Sequence, residues 1–255
     1  MSLGLAMRQV RFENRSFWRN PAAAFFTVAF PIMFLVIFNL IFGNEKLPNG
    51  LSTSTFYVAG ISAMSIVSAC YTNIAITTTF SREAGILKRI RGTPLPSWAY
   101  LFGRVTHATL IGLLLVVVIA LFGKVFYDVT LPTTTMPAFI VTVMMGAATF
   151  SALGLAVTKV IPNFDAAPAI TNVTVLPLLF ISDVFISLDA VDAPEFLKTV
   201  SKIFPVRPFV DAMLTSFDPR TVGSGFEWGN LAAMAVWAAI GMILAVRYFS
   251  WEPRK

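Results

Sequence analysis

Residues able to do acid–base, nucleophilic or metal chemistry are sparse in this chain of 255 residues, which holds one histidine and one cysteine. A proton shuttle or metal site at His107 would need a carboxylate or a second ligand beside it. None lies within sequence reach, so His107 reads as a packing or interfacial histidine. Cys70 sits alone in an apolar run, which excludes an intrachain disulfide and a cysteine zinc site. Gly123-Lys124 is followed by Val125 and has no upstream loop glycine at the right distance, so the phosphate cradle G-x-x-x-x-G-K-[ST] is absent. The chain is expected to be no enzyme, to hydrolyse no ATP itself, and to bind no metal or cofactor.

Polar residues with a pattern do exist, and they fall in two places. The first is the basic run Arg82-Glu83-Ala84-Gly85-Ile86-Leu87-Lys88-Arg89-Ile90-Arg91-Gly92-Thr93-Pro94-Leu95. Ser81 suits an N-cap, Glu83 the first turn, and Lys88, Arg89 and Arg91 the last turn of a helix over 81–92. Gly92 and Pro94 stop it. The second place is a hydroxyl stripe at helical spacing, Ser62, Ser65, Ser68, Thr72 and Thr79, with Asn73 and Thr77 beside it. Thr171, Asn172 and Thr174 form a smaller cluster. Such residues serve either as helix-packing glue or as a polar wall of a path, and the sequence leaves both open.

Apolar segments must position these groups. Hydrophobic residues make up 56% of the chain and charged ones 13%, with a mean hydropathy of +0.76. A soluble domain carries about 25% charged residues, so lipid must solvate much of this surface. Six spanning helices are expected at about 22–42, 55–80, 100–123, 137–161, 168–188 and 228–247, in an all-α membrane protein with a single domain over 1–255. Each reaches the roughly 20 residues that a bilayer core requires. No cleavable signal peptide is evident.

Arg8, Arg11, Arg15, Arg19, Arg82, Lys88, Arg89, Arg91, Arg104, Lys159, Arg247, Arg254 and Lys255 fall on one side of this layout. Only Lys46, Lys124, Lys198, Lys202, Arg207 and Arg220 fall on the other, with most of the acids. The positive-inside rule then makes the first side, with both termini, cytoplasmic. The same confinement of basic residues to span ends argues against nucleic acid as the partner of a chain of net charge +6. Residues 1–20 read as an amphipathic interfacial helix, with Leu3, Ala6, Met7, Val10, Asn14 and Phe17 near one face, an arginine stripe on another, and Trp18 at the interface. Between the last two spans, 192–217 reads as two helices too short to cross. Asp192 is placed to cap the first, Phe196, Leu197, Val200, Ile203 and Phe204 repeat along it, and Pro208 to Phe217 form the second. Arg104, Lys159, Asp183 and Arg247 lie near span ends, and no charge sits near a midplane. That argues against an ion-coupled carrier.

The basic run resembles the intracellular coupling helix of type-2 ATP-binding cassette (ABC) transporter permeases, in the branch of bacterial drug, lipid and polysaccharide exporters. It carries the pattern R-E-x-G-x-L-K-R-x-R-x-T-P-L in full. Pro177-Leu178-Leu179-Phe180-Ile181-Ser182, Phe204-Pro205 and Phe209-Val210-Asp211-Ala212 are similar to that family's fifth span and external re-entrant helices. Three positions depart from it. Asp183 stands where Gly is frequent, Phe185-Ile186-Ser187 stands where Phe-x-Pro often follows, and Arg207 replaces an uncharged residue or His.

The resemblance implies a division of labour. This chain would form the path, and two separate ATPase subunits would bind ATP and magnesium. It would work with a second copy of itself or a paralogue in the cell membrane, in contact with membrane lipid. Arg82, Glu83, Lys88, Arg89 and Arg91 would couple to the ATPase. Ser65, Ser68, Thr72, Asn73, Thr171 and Asn172 would line the path between protomers, and Asp183 and Arg207 would face its external mouth. A hydroxylated, apolar path without fixed charge favours export of a lipid-like or amphiphilic drug. An ion-coupled carrier or a non-transporting scaffold is the alternative.

Overall fold

The computed structural model describes residues 2–43, 45–48, 50–188, 191 and 193–252. Asp192, Arg254 and Lys255 lie outside the described residues. The described elements are α1 (Ser2–Trp18), α2 (Pro21–Phe42), α3 (Thr53–Val67), a π turn (Ser68–Thr72), α4 (Asn73–Glu83), α5 (Ile86–Arg91), α6 (Ser97–Tyr127), α7 (Met136–Val157), α8 (Ala166–Phe180), α9 (Glu195–Ile203), α10 (Val206–Phe217) and α11 (Trp228–Tyr248). Local chemistry sets the starts of α2 and α3. The Asn20 side chain accepts from the Ala23 amide ahead of Pro21, and the Ser52 hydroxyl accepts from the Thr55 amide.

Among the described residues, five helices are long and apolar enough to cross a membrane: α2, the continuous Thr53–Glu83 helix, α6, α7 and α11. Thr53–Glu83 is the central pillar. It is 78% buried over its most apolar stretch, against 17% for α2 and 22% for α11. Lipid is therefore the solvent for the outer faces of α2 and α11, where Phe25, Phe26, Leu40, Ile243 and Val246 stand exposed.

Pillar and α7 meet through a glycine. A Cβ at Gly154 would lie 2.8 Å from the Tyr71 carbonyl oxygen and 2.9 Å from that of Cys70, both in the π turn. Backbone cannot swing aside as a side chain does. Gly154→Ala is therefore expected to cost about 1–3 kcal/mol, visible as a lower thermal midpoint and an aggregated fraction in detergent micelles.

The fifth expected span differs from the sequence reading. Helix α8 ends at Phe180 and has 15 residues, about 22 Å at 1.5 Å per residue, which is short of a 30 Å hydrocarbon core. Residues 181–188 continue as turns, with Ser182, Val184, Phe185 and Leu188 buried. Irregular backbone is tolerated at such a place because protein covers it: Phe185 packs on Phe34 and Phe38, and Val184 presses its carbonyl on Gly60.

The short helices sit in the bundle in different ways. In α9, Phe196 and Ile203 face outward rather than into the bundle. Helix α10 is inserted instead, with Phe209, Val210 and Met213 fully buried and Thr135 donating to the Ser216 carbonyl at 2.6 Å. Helix α1 is docked on α6 by Ala6 and Val10, while Leu3 and Met7 of its expected apolar face are exposed. It rests so closely that a Cβ at Gly103 would meet Gln9.

Candidate functional site

At one end of the bundle lie α1, α5, the 158–165 turn and the C-terminal segment, joined by Arg82, Arg104 and the Tyr100–Trp251 ring contact. The sequence places one helix here from Ser81. The structure instead runs the pillar through Ser81 to Glu83 and breaks it at Ala84-Gly85. Gly85 has φ +68, a left-handed value that glycine adopts without a Cβ penalty. Ser81 is thus no N-cap, and its hydroxyl donates to the Thr77 carbonyl at 2.8 Å. Beyond the break runs the short α5, pinned by the fully buried Leu87, with Lys88, Arg89 and Arg91 exposed.

Arg82 and Glu83 stand apart from those three cations. Arg82 is 2% exposed. Its Nη1 donates to the Thr158 carbonyl and its Nη2 to that of Ile161, both at 2.8 Å, and its Nε pairs with Glu83 at 2.7 Å. These acceptors lie just past the last turn of α7, where helix carbonyls lack intrahelical partners and a cation is favoured. Placing Arg82 with the exposed coupling charges therefore needs correcting. It bolts the foot of the pillar to the foot of α7.

Above this end, a crevice of about 570 Å³ opens between α1, α2, the pillar and α6. Ser65, Ser68, Thr72 and Asn73 line it. Thr171 and Asn172 do not. Thr171 is buried and donates back to the Ala167 carbonyl at 2.8 Å, and Asn172 faces outward from α8. The crevice also gathers Glu13, Arg104 and His107, which sequence spacing alone does not connect. Arg104 does not snorkel. Only 9% exposed, it donates to Thr78 and Ser81, lies 3.6 Å from Glu13 and stacks over the Tyr100 ring. His107 packs edge-on against Phe17 at 5.7 Å.

At the opposite end, Arg207 of α10 reaches Asp183 at 2.7 Å and Asp211 at 2.9 Å. Asp183 has φ +55 and accepts from the Leu188 amide at 2.9 Å. That conformation favours Gly, with Asp and Asn next, because a short polar side chain bonds locally. Burial pushes the Asp211 carboxyl above its ordinary range, and the Arg207 guanidinium opposes that rise.

Residues 7–217 match the ABC-2 type transporter family. The chain belongs to that family. A Bacillus subtilis protein named as a transport permease, YvfS, is 21% identical over 95% of this chain and 96% of its own length. A protein of Porphyra purpurea named as a transport permease, ycf38, is 25% identical over 83% of this chain and 71% of its own. The inner membrane transport permease YadH of Escherichia coli is 23% identical over 71% of each. This ABC-2 permease is accordingly a non-catalytic, multi-pass membrane subunit of a transporter, of a kind that works with ATPase subunits.

Proposed function

We propose that this permease forms the translocation path of an ATP-driven exporter of amphiphilic or lipid-like molecules. Two ATPase subunits would hold ATP and magnesium, and a second permease copy or a paralogue would complete the path. Both termini and α5 are then cytoplasmic, in keeping with the distribution of Lys and Arg. Helix α5 sits in a cleft of the ATPase and presents Lys88, Arg89 and Arg91. The polar face of the pillar, with Ser65, Ser68, Thr72 and Asn73, contributes to the path. Asn172, which faces outward from α8, reaches it at the junction with the second permease, the buried Thr171 only packs behind it, and Asp183 and Arg207 stand at the external mouth.

One observation carries this reading. Helix α5 hangs from the pillar through Gly85, and Arg82 ties that same joint to α7. A push on α5 is therefore delivered to two membrane helices at once. The amphiphile preference rests on a polar face that is hydroxylated rather than charged.

Neutralising Lys88, Arg89 and Arg91 together is expected to leave folding intact, because all three are exposed. It should cut substrate-stimulated ATP hydrolysis about tenfold or more in vesicles reconstituted with the ATPase. Normal coupling and assembly in that triple variant would sink the proposal. Transport driven by an ion gradient without ATP would favour a carrier, and ATPase binding without transport would favour a scaffold.

A further inference from the structure

The crevice beside the pillar has a chemical gradient set by chain order. Residue numbers rise along α2 and α6 and fall along the pillar from the basic end inward. At the basic end they bring together Asn20, Asn73, Arg104 and His107, with Glu13 from α1. Towards the middle of the bundle the lining becomes Phe30, Met64, Ile111 and Leu115. From Arg104 to Leu115 along α6 is about 16 Å. A volume near 570 Å³ falls within the roughly 300–1,000 Å³ of small-molecule sites. It suits one amphiphile with a compact head, and not a polymer.

Its polar end is built but incomplete. Arg104 and His107 are 9% and 6% exposed, and Arg104 Nε and His107 Nδ1 are buried without a hydrogen-bond partner. Buried polar atoms are nearly always satisfied, so each orphan calls for a partner. One cation and one carboxylate stand there, 3.6 Å apart, longer than a charge-assisted hydrogen bond. The head that completes this arrangement carries both signs, an oxyanion for Arg104 and His107 and an ammonium for Glu13.

We propose that the crevice is a binding site for a zwitterionic phospholipid-class amphiphile. Its phosphate lies at Arg104 and His107, its ammonium at Glu13, and one acyl chain runs between Phe30 and Ile111. The site is complete within one chain. It shares the face of Ser68 and Thr72 with the proposed path but needs neither a second permease nor ATP.

The test is a native mass spectrometry titration of the full-length purified chain, without ATPase, using palmitoyl lysophosphatidylethanolamine. The probes for comparison are palmitoyl lysophosphatidylglycerol and palmitate. Wild type is expected to hold one equivalent of the zwitterionic probe about tenfold more tightly than either comparator. Ser68→Trp fills the crevice from an exposed position and should abolish that stoichiometric binding. His107→Leu should remove the preference for the zwitterionic head while keeping the acyl contact. Equal binding in wild type and a folded Ser68→Trp, or no preference among the three probes, would overturn the proposal. Both variants are checked for a monodisperse profile. Should Ser68→Trp misfold, a benzophenone side chain at Phe30 replaces it: cross-linking to the acyl chain supports the site and its absence refutes it. These readouts need no transport, so their failure leaves the exporter reading untouched, and an uncoupling failure leaves this site untouched.

Discussion

Arg82→Ala is expected to destabilise the permease by about 3 kcal/mol or more, and to uncouple it even where it still folds. The side chain is buried and makes hydrogen bonds from a charged group to two well-placed carbonyls. Removal takes a buried charged donor from those carbonyls and the cation from Glu83, each loss costing about 1–3 kcal/mol. Lys at this position is no rescue. One ammonium has neither the planar fork nor the reach to hold Thr158, Ile161 and Glu83 together. Thermal unfolding in detergent should show both substitutions well below wild type. Substrate-stimulated hydrolysis, measured below the midpoint of the weaker variant, should then show the loss of coupling. A variant of wild-type stability would mean that the bolt between pillar and α7 carries no load.

The second large effect is expected at Arg207. Arg207→Leu removes the cation that joins the buried Asp183 to the half-buried Asp211, and should cost about 3–5 kcal/mol. The triple change Arg207→Leu, Asp183→Asn and Asp211→Asn is the informative companion. It removes all three charged groups together, and replacing such an ion network is often close to neutral. Most of the lost stability should therefore return. If the triple variant is no better than Arg207→Leu, the cost comes from packing of the arginine stem and not from uncompensated charge.

The basic run, the apolar segments and the two short helices before α11 were legible because each is written locally, in periodicity, capping residues and span-end charge. The features that escaped depend on residues far apart in the chain. Arg82 reads as part of a charged surface because its neighbours Lys88, Arg89 and Arg91 are one. Its partners lie 76 and 79 residues onward, at the end of α7. The break at Gly85 did carry a signal, since glycine inside a helical pattern marks a possible terminus, but the start signals at Ser81 and Glu83 compete with it. Helix α8 ends at Phe180 although the chain stays apolar to Leu188, and hydropathy reports burial without reporting helicity. The trio Glu13, Arg104 and His107 was invisible for the reason that Arg82 was: α1 docks on α6 through a glycine contact that no local pattern announces.

The π turn at Ser68–Thr72 has a geometrical consequence of its own. Such a turn holds one residue more than an α-helix needs, so everything beyond it is rotated by about 100° relative to an uninterrupted helix. Thr79 shares a stripe with Ser65, Ser68 and Thr72 on an ideal wheel, yet it is buried in protein, while Ser65, Ser68 and Thr72 face the crevice and are followed there by Asn73 and Thr77. Phase, as much as length, is what this segment encodes. Removing a single residue from it would shorten the pillar by less than a third of a turn, yet swing α4 and the basic helix beyond it to a different compass bearing.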